Sequence, residues 1–352
     1  MDPFVTAPRP IISVIVLNYN GMQWLPRCFE SLEKQTAFDH LEVIVTDNKS
    51  ADGSDKFAAE WLERTGRGRV VQNGANLFYC GANNNGAAVA SGEFVLFLNN
   101  DTWLEPDCLE KLYQGTVAAN ADGASPLVLD YDDNHFQNAG SPGLDIFGMT
   151  SVMNQPKGPR TIFSSPGCSL LVRTEMFRKI GGFAPELLIY CDETDVSWRV
   201  WIAGGSIVYV PDAIVHHRGA AVANPAGGTK HVEARTTDFK RFLANRNGVL
   251  FIMKNAHSFL LLMLIPHLML LTAEAAVCLV LVRRWSYVRK SYIGAVAEAF
   301  KMLPHVRAWR KRIKGFRVHG DFWMLRFFRL RPSRWGEVKH MLRFGVPKVD
   351  KK

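Results

Sequence analysis

Residues 11–21 read Ile-Ile-Ser-Val-Ile-Val-Leu-Asn-Tyr-Asn-Gly, an apolar, β-branched run that ends in a polar turn. Such a run, bounded by turn residues, predicts a buried strand. Residues 25–35 follow with helical spacing of their apolar side chains, and residues 41–46 form a second predicted strand that also ends in a polar loop, 47–50. Strand, helix and strand in this order predict a parallel βαβ unit.

The same alternation continues with a predicted helix near 54–64, a strand at 69–72, a helix around 82–90 and a strand at 94–98. The sequence therefore predicts an α/β fold with a mostly parallel sheet flanked by helices. Open parallel sheets bind ligands beyond the carboxyl ends of their strands. The polar clusters 18–20, 47–50 and 99–101 all lie at such ends, which predicts one crevice that collects all three. Residues 138–166, rich in Gly and Pro, are expected to form a flexible segment.

The charge of the chain is divided unevenly. The formal net charge is +9, yet residues 283–352 hold 20 Lys/Arg against 4 Asp/Glu, so the remainder is acidic. This division argues against nucleic-acid binding by the main domain and indicates an anionic membrane surface as the partner of the tail. The six cysteines form no CxxC pair, which fits a reducing compartment.

The last third of the sequence predicts contact with a membrane. Residues 259–282 are apolar and long enough to cross a hydrocarbon core of about 30 Å. Crossing would export the basic tail, so a helix kinked at Pro266 that re-enters or lies on the membrane is preferred, with a buried core helix as the alternative. Residues 308–317 and 322–335 interleave basic and aromatic side chains, a pattern typical of amphipathic helices in a headgroup layer.

These features divide the chain into a predicted catalytic domain, 1–240, and a helical membrane-associated region, 241–352, with a basic amphipathic tail at 283–352. The first ten residues contain no basic segment followed by an apolar run. The main domain is therefore expected in the cytosol, at the cytoplasmic face of the cell membrane.

Three clusters carry candidate chemistry, and each has a simpler interpretation. Asp101 follows a strand and suits a hard divalent cation, but an Asp in this place is often a helix N-cap. Residues 192–199 contain three acids, which are also common at a helix N-terminus. His216-His217 follows a late strand at 207–210, and one ring of the pair should point inward.

Five motifs in a fixed order resemble the inverting family-2 glycosyltransferases of the GT-A fold, particularly bacterial rhamnosyltransferase-like members. The matching segments are Ser13–Gly21, Val45–Ser50, Asn83–Gly86 with Phe97–Thr102, Asp192–Arg199, and Val210–Ala213 with His217. They span about residues 11–220. The resemblance implies a nucleotide-diphospho-sugar transferase sheet with a helical membrane-associated region after it.

On the donor side, the resemblance implies that Leu17, Tyr19 and Asp47 contact the nucleotide base and ribose. Asn100 and Asp101 occupy the last two positions of the family's acidic metal motif, with Asp101 binding Mg or Mn and Asn100 beside the ribose and diphosphate. The donor implied is dTDP-rhamnose or a UDP-hexose.

On the acceptor side, Glu193 aligns with the catalytic base and His217 with a histidine that completes the metal shell. Asp192 and Asp195 are then acceptor-side or structural. The acceptor implied is a hydroxyl of a saccharide or polyprenyl-diphosphate-linked glycan in cell-surface polysaccharide synthesis. Two other hypotheses stay open: a sugar nucleotidyltransferase, and a non-catalytic membrane-tethered nucleotide-binding module.

Overall fold

A computed structural model describes residues 10–151, 153–219, 235–330, 332–333 and 348–350 of the chain. The chain forms two units. The first comprises Met1–Gly140, Met153–Val200 and Gly205–Gly219, and the second comprises Ser141–Val152, Trp201–Gly204 and Ala220–Lys352. The domain boundary at residue 240 stays a prediction.

The first unit is built on a ten-stranded sheet whose main order is β3-β2-β1-β4-β10-β6-β11-β5, with β7 beside β6 and β9 beside β11. Its strands are β1 (Ile12–Asn18), β2 (Leu41–Asp47), β3 (Gly68–Gln72), β4 (Phe94–Asn99), β5 (Thr102–Leu104), β6 (Gly123–Asp130), β7 (Phe136–Asn138), β9 (Arg160–Thr161), β10 (Ser169–Arg173) and β11 (Ile207–His217), while β8 (Leu144–Asp145) belongs to the second unit.

Helices cover both faces of this sheet. They are α1 (Leu25–Glu33), α2 (Ser54–Thr65), α3 (Phe78–Val89), α4 (Cys108–Ala118), α5 (Thr174–Ile180) and α6 (Asp192–Ile202). On one face Phe29 of α1 stacks on Trp61 of α2, with ring centroids 4.3 Å apart. On the other face Phe97 packs on Phe177 of α5. Burial on both faces explains why these strands are continuous apolar runs, and the predicted α/β class is confirmed.

Strands β1, β2, β3 and β4 run parallel, as the βαβ pattern predicts. The later strands are mixed, because β10 is antiparallel to both β4 and β6. The segment 138–166 was expected to be flexible, but part of it is packed into the unit. Strand β9 pairs with β11, and Ile162 and Phe163 are fully buried. Strand β11 is also longer than the sequence indicates and reaches His217 through an irregularity between Val210 and Ile214.

The second unit is mainly helical. Its elements are α7 (Asp238–Asn255), a 3-10 turn (Phe259–Met263), α8 (Leu264–Val282), α9 (Trp285–Val288), a π-helical turn (Arg289–Gly294), α10 (Ala295–Lys301), α11 (Leu303–Phe316), α12 (Asp321–Met324), a 3-10 turn (Leu325–Phe327) and the short strands β12 (Arg235–Thr237), β13 (Phe328–Arg329) and β14 (Lys348–Asp350). Thr237 caps α7 by accepting a hydrogen bond from the Lys240 amide. From Asn245 to Asn255 every residue of α7 is buried, so this helix is the core of the unit.

The apolar segment Phe259–Val282 is, within the described ranges, the one helical stretch long and apolar enough to cross a membrane. Its outer face is exposed, with Leu262 at 63%, Ile265 at 58% and Met269 at 67% exposure. The kink expected at Pro266 stays a prediction. Pro266 lies in the first turn of α8, where its missing N–H breaks no helical hydrogen bond.

The histidine and the acidic side chain of α8, His267 and Glu274, face protein. The His267 ring nitrogen Nδ1 lies 2.6 Å from the Phe147 carbonyl, and this ring is buried. Glu274 is half-buried within electrostatic range of the Tyr292 hydroxyl. The arrangement disfavours a buried core helix, since one face of α8 packs on the unit while the apolar outer face stays uncovered.

The amphipathic interpretation of residues 308–317 needs correction. The apolar side chains of α11, Val306, Trp309 and Ile313, are buried, and the ring of Trp309 lies beneath the Lys254 ammonium at 4.3 Å. This apolar face therefore packs against α7 and is not free to enter a headgroup layer. In the second predicted segment Phe322 is 82% exposed, whereas Phe327 is buried; its end at Trp335 lies outside the described residues.

Candidate active site

The carboxyl ends of β1, β2 and β4 meet at one edge, as predicted. Asn18 lies opposite Asp47 in the ladder, and Leu17 lies opposite Asn99. The buried Asn18 amide donates to Asp47 Oδ1 at 2.8 Å, and its carbonyl oxygen accepts from Asn100 Nδ2 at 3.2 Å. One asparagine therefore ties the three loops together, a role that no sequence pattern indicated.

Gly21 closes the turn after β1 against this pair. A Cβ atom at Gly21 would lie 2.1 Å from Asn100 Nδ2 and 2.4 Å from Asn18 Oδ1. Any larger residue would break the Asn18–Asn100 contact. The glycine in the predicted Asn-Tyr-Asn-Gly turn is thus required by close approach of the neighbouring loop.

The predicted donor-side residues differ in accessibility. Asp47 is buried, and it accepts hydrogen bonds from Asn18 and from both the amide and the hydroxyl of Ser50. Its clearest role is to order the loop 47–50. Leu17 is half-buried, whereas half of the Tyr19 side chain is exposed beside the edge of the sheet. Contact of these residues with a nucleotide stays a prediction.

Asp101 is not a helix cap, because β5 follows it directly and no helix begins there. Strand β11 pairs with β5 so that His217 lies opposite Thr102. The Arg218 amide also donates to the Asp101 carbonyl at 2.9 Å. These contacts bring His217 Nε2 to 3.5 Å from Asp101 Oδ1, and both side chains are partly exposed.

Gln137 on β7 fixes the orientation of the His217 ring. Its amide nitrogen donates to the His217 carbonyl at 3.1 Å, so its oxygen faces Nδ1 of the ring at 2.8 Å. Nδ1 must then carry the proton, and Nε2 presents a lone pair beside Asp101. Sequence reasoning missed Gln137, because it lies eighty residues away and belongs to no motif.

The pair of Asp101 and His217 suits a divalent cation. Burial lowers the pKa of His217 against the opposing charges of Asp101 and Asp130, which favours the neutral imidazole that metals bind. In the part of the chain that the structure describes, no group of three or more His, Cys, Asp or Glu side chains could hold a metal ion. Two protein ligands leave room for phosphate oxygens, the arrangement common for Mg²⁺ with nucleotides.

His216, the other ring of the pair, is structural. It is buried, stacks on Trp103 with centroids 3.5 Å apart, and lies 3.0 Å from Glu105 through Nε2. Because side chains alternate along β11, His217 faces Asp101 and His216 packs between Trp103 and Glu105.

Glu193 lies in the first turn of α6, after a strained segment. Leu188, Tyr190 and Cys191 all have positive φ angles, between 61° and 74°. Non-glycine residues adopt this region at an energetic cost and often do so at functional sites. The segment is fixed by the Cys80 amide, which donates to the Leu188 carbonyl at 2.9 Å.

Asp192 and Glu193 sit in a poorly solvated environment. Burial raises the pKa of Glu193, and burial followed by the charge of Glu193 raises the pKa of Asp192. The pKa of the Cys168 thiol is raised by burial and further by the charges of both Asp101 and Glu193. The turn at Cys168 therefore lies within electrostatic range of both predicted site carboxylates.

Asp195 has a structural role, one of the two that the sequence left open. Its carboxylate forms a fully buried ion pair with Arg199 at 2.8 Å. Arg199 also donates to the carbonyls of Ile180 and Gly182 at 2.7 and 2.6 Å. The pair thereby fastens α6 to the turn that follows α5.

Comparison with known proteins agrees with this geometry. Residues 13–181 match the model for glycosyl transferase family 2. The chain is 35% identical over 148 residues to a protein of Bacillus subtilis whose name describes it as glycosyltransferase EpsH, covering 42% of this chain and 41% of that protein. It is 28% identical over 269 residues to the N-acetylglucosaminyl-diphospho-decaprenol L-rhamnosyltransferase of Mycobacterium tuberculosis, covering 68% and 85% respectively.

The crystal structure of GalNAc-T7 with UDP, GalNAc and Mn²⁺ superimposes with a TM-score of 0.65 at 14% identity, covering 98% of this chain and 60% of that one. The fold and the site thus define a glycosyltransferase of the GT-A class. More particularly, residues 13–181 form a family-2 glycosyltransferase domain, as the motifs in this range indicate. Of the three hypotheses from sequence, this assignment selects the first.

The buried ion pair gives a stability prediction. Arg199→Met leaves the Asp195 carboxylate buried without its partner, so the free energy of unfolding should fall by about 3–5 kcal/mol. Lys34→Met, which breaks the exposed pair with Glu30, should cost less than about 1 kcal/mol. Urea unfolding followed by tryptophan fluorescence measures both, and equal losses would contradict the structural role.

Gln137 gives a binding prediction. Gln137→Leu removes the acceptor at His217 Nδ1, and affinity for Mn²⁺ in the presence of a nucleoside diphosphate should fall about 10- to 100-fold. Gln137→Glu keeps an acceptor there and should retain most of the affinity. Isothermal titration measures both, with Gln114→Leu on the exposed surface of α4 as control. Unchanged Mn²⁺ affinity in a folded Gln137→Leu variant would show that the ring orientation does not matter.

Proposed function

We propose that this chain is an inverting glycosyltransferase that moves a sugar from a nucleotide-sugar donor to a hydroxyl of a saccharide or lipid-linked glycan. The observation that carries the proposal is the convergence of Asp101 and His217 from separate segments of the chain. Glu193 lies near the same edge, because its Oε2 atom is 3.7 Å from the position that a Cβ atom would take at Gly167, and the neighbouring Cys168 carbonyl accepts from the Asn99 amide at 3.0 Å. A cation site for the departing diphosphate and a separate base for the acceptor are the two requirements of a direct displacement.

The donor is proposed to lie along the edge formed by β1, β2 and β4. Tyr19 offers an exposed ring for the base, and Leu17 and Asp47 flank it. Asn100 is held by Asn18 at the position proposed for the ribose and diphosphate. The rhamnosyltransferase of Mycobacterium tuberculosis supports a rhamnose donor, for which dTDP-rhamnose is proposed, and the UDP in GalNAc-T7 supports a UDP-hexose.

Mg or Mn is the proposed cofactor, held by the Asp101 carboxylate and His217 Nε2. When bound, such a cation supplies positive charge against the departing diphosphate. The protein holds Nε2 in its unprotonated form through Gln137, and the ring is only partly exposed to solvent. The presence of Mn²⁺ in the GalNAc-T7 structure supports this choice.

Glu193 is proposed to act as the catalytic base. Its carboxylate accepts the proton of the acceptor hydroxyl as that oxygen bonds to the anomeric carbon and the bond to the diphosphate breaks. One displacement inverts the anomeric configuration. Burial strengthens Glu193 as a base, because a raised pKa brings it closer to the pH at which the enzyme works.

Asp192 is proposed to help position the acceptor beside Glu193. The Mycobacterium tuberculosis relative is named for an acceptor carried on a diphospho-decaprenol lipid. A polyprenyl-diphosphate-linked saccharide is therefore the proposed acceptor, in cell-surface polysaccharide synthesis. The uncovered apolar face of α8 supports a location on the cytoplasmic face of the cell membrane.

The base assignment predicts a loss of turnover without a loss of donor binding. Glu193→Gln should lower kcat about 10²- to 10⁴-fold, since the amide cannot accept the proton. Donor affinity by isothermal titration should stay near wild type, and Glu175→Gln on the exposed face of α5 should leave both unchanged. In the wild type, kcat should fall as pH drops through the raised pKa, so its acidic limb should lie above 4.5. Normal turnover of Glu193→Gln would refute the role.

The exposed face of α8 predicts binding to neutral membranes. Met269→Glu with Val280→Glu should weaken sedimentation with phosphatidylcholine vesicles at least about tenfold, because each charge opposes burial in lipid. Val117→Glu places the same charge at an exposed apolar position on α4 and should have no effect. Equal binding by all three proteins would argue that α8 does not contact the membrane.

A further inference from the structure

The second unit contains a cationic cavity of 310 Å³. Six side chains line it, none of them acidic: Lys254, His257, Arg310, Lys311, Lys314 and Arg317. Lys254 lies at the end of α7 and His257 lies two residues after that helix. The other four side chains lie on α11 or directly after it. Five side chains with permanent positive charge around one cavity indicate an anionic ligand.

Two of the cations are fixed in place by the backbone. Arg310 donates to the carbonyls of Met253 and His257, at 2.9 and 2.7 Å. Arg317 donates to the Asn255 carbonyl at 2.7 Å. The carbonyl end of a helix attracts cations, so the last turn of α7 holds both guanidinium groups against the cavity.

Two further cations are available to a ligand. Lys311 and Lys314 are exposed and lie one turn apart on α11, hence on the same side. Among the described residues, no carboxylate forms an ion pair with Arg310, Lys311, Lys314 or Arg317. The nearby Asp321 is instead occupied by the amides of His257, Ser258 and Leu260.

The charges in the cavity oppose one another. Burial lowers the pKa of Arg317, and the neighbouring Arg310 lowers it further against the attraction of Asp321. An anion in the cavity would relieve this repulsion. A guanidinium pair with two flexible ammonium groups matches the donors that bind phosphate in proteins.

The surroundings of the cavity indicate that this phosphate belongs to a lipid. His257 is followed within two residues by Phe259, the first residue of the apolar segment that continues as α8. The Phe259 ring lies 4.8 Å from the exposed ring of Phe322. A soluble phosphate needs no exposed apolar surface beside its site, whereas a phospholipid presents its headgroup and its acyl chains together.

We propose that the cationic cavity binds the headgroup phosphate of an anionic membrane phospholipid while the apolar outer face of α8 enters the adjoining lipid. This inference rests on the membrane association proposed above and not on the sugar-transfer reaction. The sequence indicated only a general attraction of the basic region to negative surfaces. The proposal assigns that attraction to a defined binding site.

The test compares two double variants of the full chain on vesicles of phosphatidylcholine with and without phosphatidylglycerol. Lys311→Gln with Lys314→Gln removes two charges from the cavity and should weaken sedimentation with phosphatidylglycerol vesicles by about tenfold or more. Arg307→Gln with Arg312→Gln removes two charges from exposed positions of the same helix that do not line the cavity, and should cost only a few-fold. Equal losses in the two variants would overturn the proposal in favour of general charge attraction.

Two further measurements separate the source of the phosphate. Thermal stabilisation by inorganic pyrophosphate, without tighter binding to phosphatidylglycerol vesicles, would identify a site for a soluble ligand and overturn the lipid assignment. Binding of a single-stranded RNA without vesicle binding would also overturn it. Transfer to a soluble acceptor should be equal in the Lys311/Lys314 variant and the wild type, so a failure here is distinguishable from a failure of the proposed function.

Discussion

The hydrogen bonds of Asn18 are the constraint on which the rest of the site depends. Strands β1, β2 and β4 are buried on both faces, so polar chemistry is possible only at their ends. At that edge Asn18 donates to Asp47 and to Ser54 at 2.9 Å, and it accepts from Asn100. A buried amide that loses a partner pays the full cost of desolvation. The loops that hold the proposed donor residues are therefore joined through one buried side chain of the sheet. The loops after β1 and β2 are also bonded directly, because the Asn20 amide donates to the Ser50 hydroxyl and the Ala51 amide donates to the Asn20 side chain.

The other half of the site depends on strand β11 continuing past Pro211. The irregularity between Val210 and Ile214 lets the strand resume its pairing and reach β5. Asp101 then gains a neutral imidazole as neighbour, while Glu193 occupies a buried helix start with a raised pKa. The two carboxylates thus have different environments, one suited to a cation and the other to a proton. This separation allows a single displacement reaction to use both.

The sequence predicted what is encoded locally. Apolar runs with polar ends identified β1, β2 and β4 and their common edge, since strand formation and burial are read from neighbouring residues. Asp101 could not be resolved in this way, because cap and ligand look alike until β5 is seen to follow. Gln137 was missed because its contact with His217 forms only after β6 and β7 pair. The Asp195–Arg199 pair has the spacing of a helical ion pair and could have been recognised, but its complete burial could not.

In the basic region, an amphipathic sequence pattern does not reveal whether the apolar face packs against protein or against lipid. The part of α7 from Asn245 to Asn255 is buried on all sides and must be covered, so the apolar face of α11 is used inside the protein. The cations of α11 remain outside, and the apolar surface left uncovered belongs to α8. Charge and apolar contact are therefore carried by different helices of the same unit. A single weak anchor binds membranes only marginally, whereas two together bind stably. Helix α8 would insert into any lipid, whereas the cationic cavity would bind only anionic headgroups. Together they would give stable attachment and selection of an anionic leaflet.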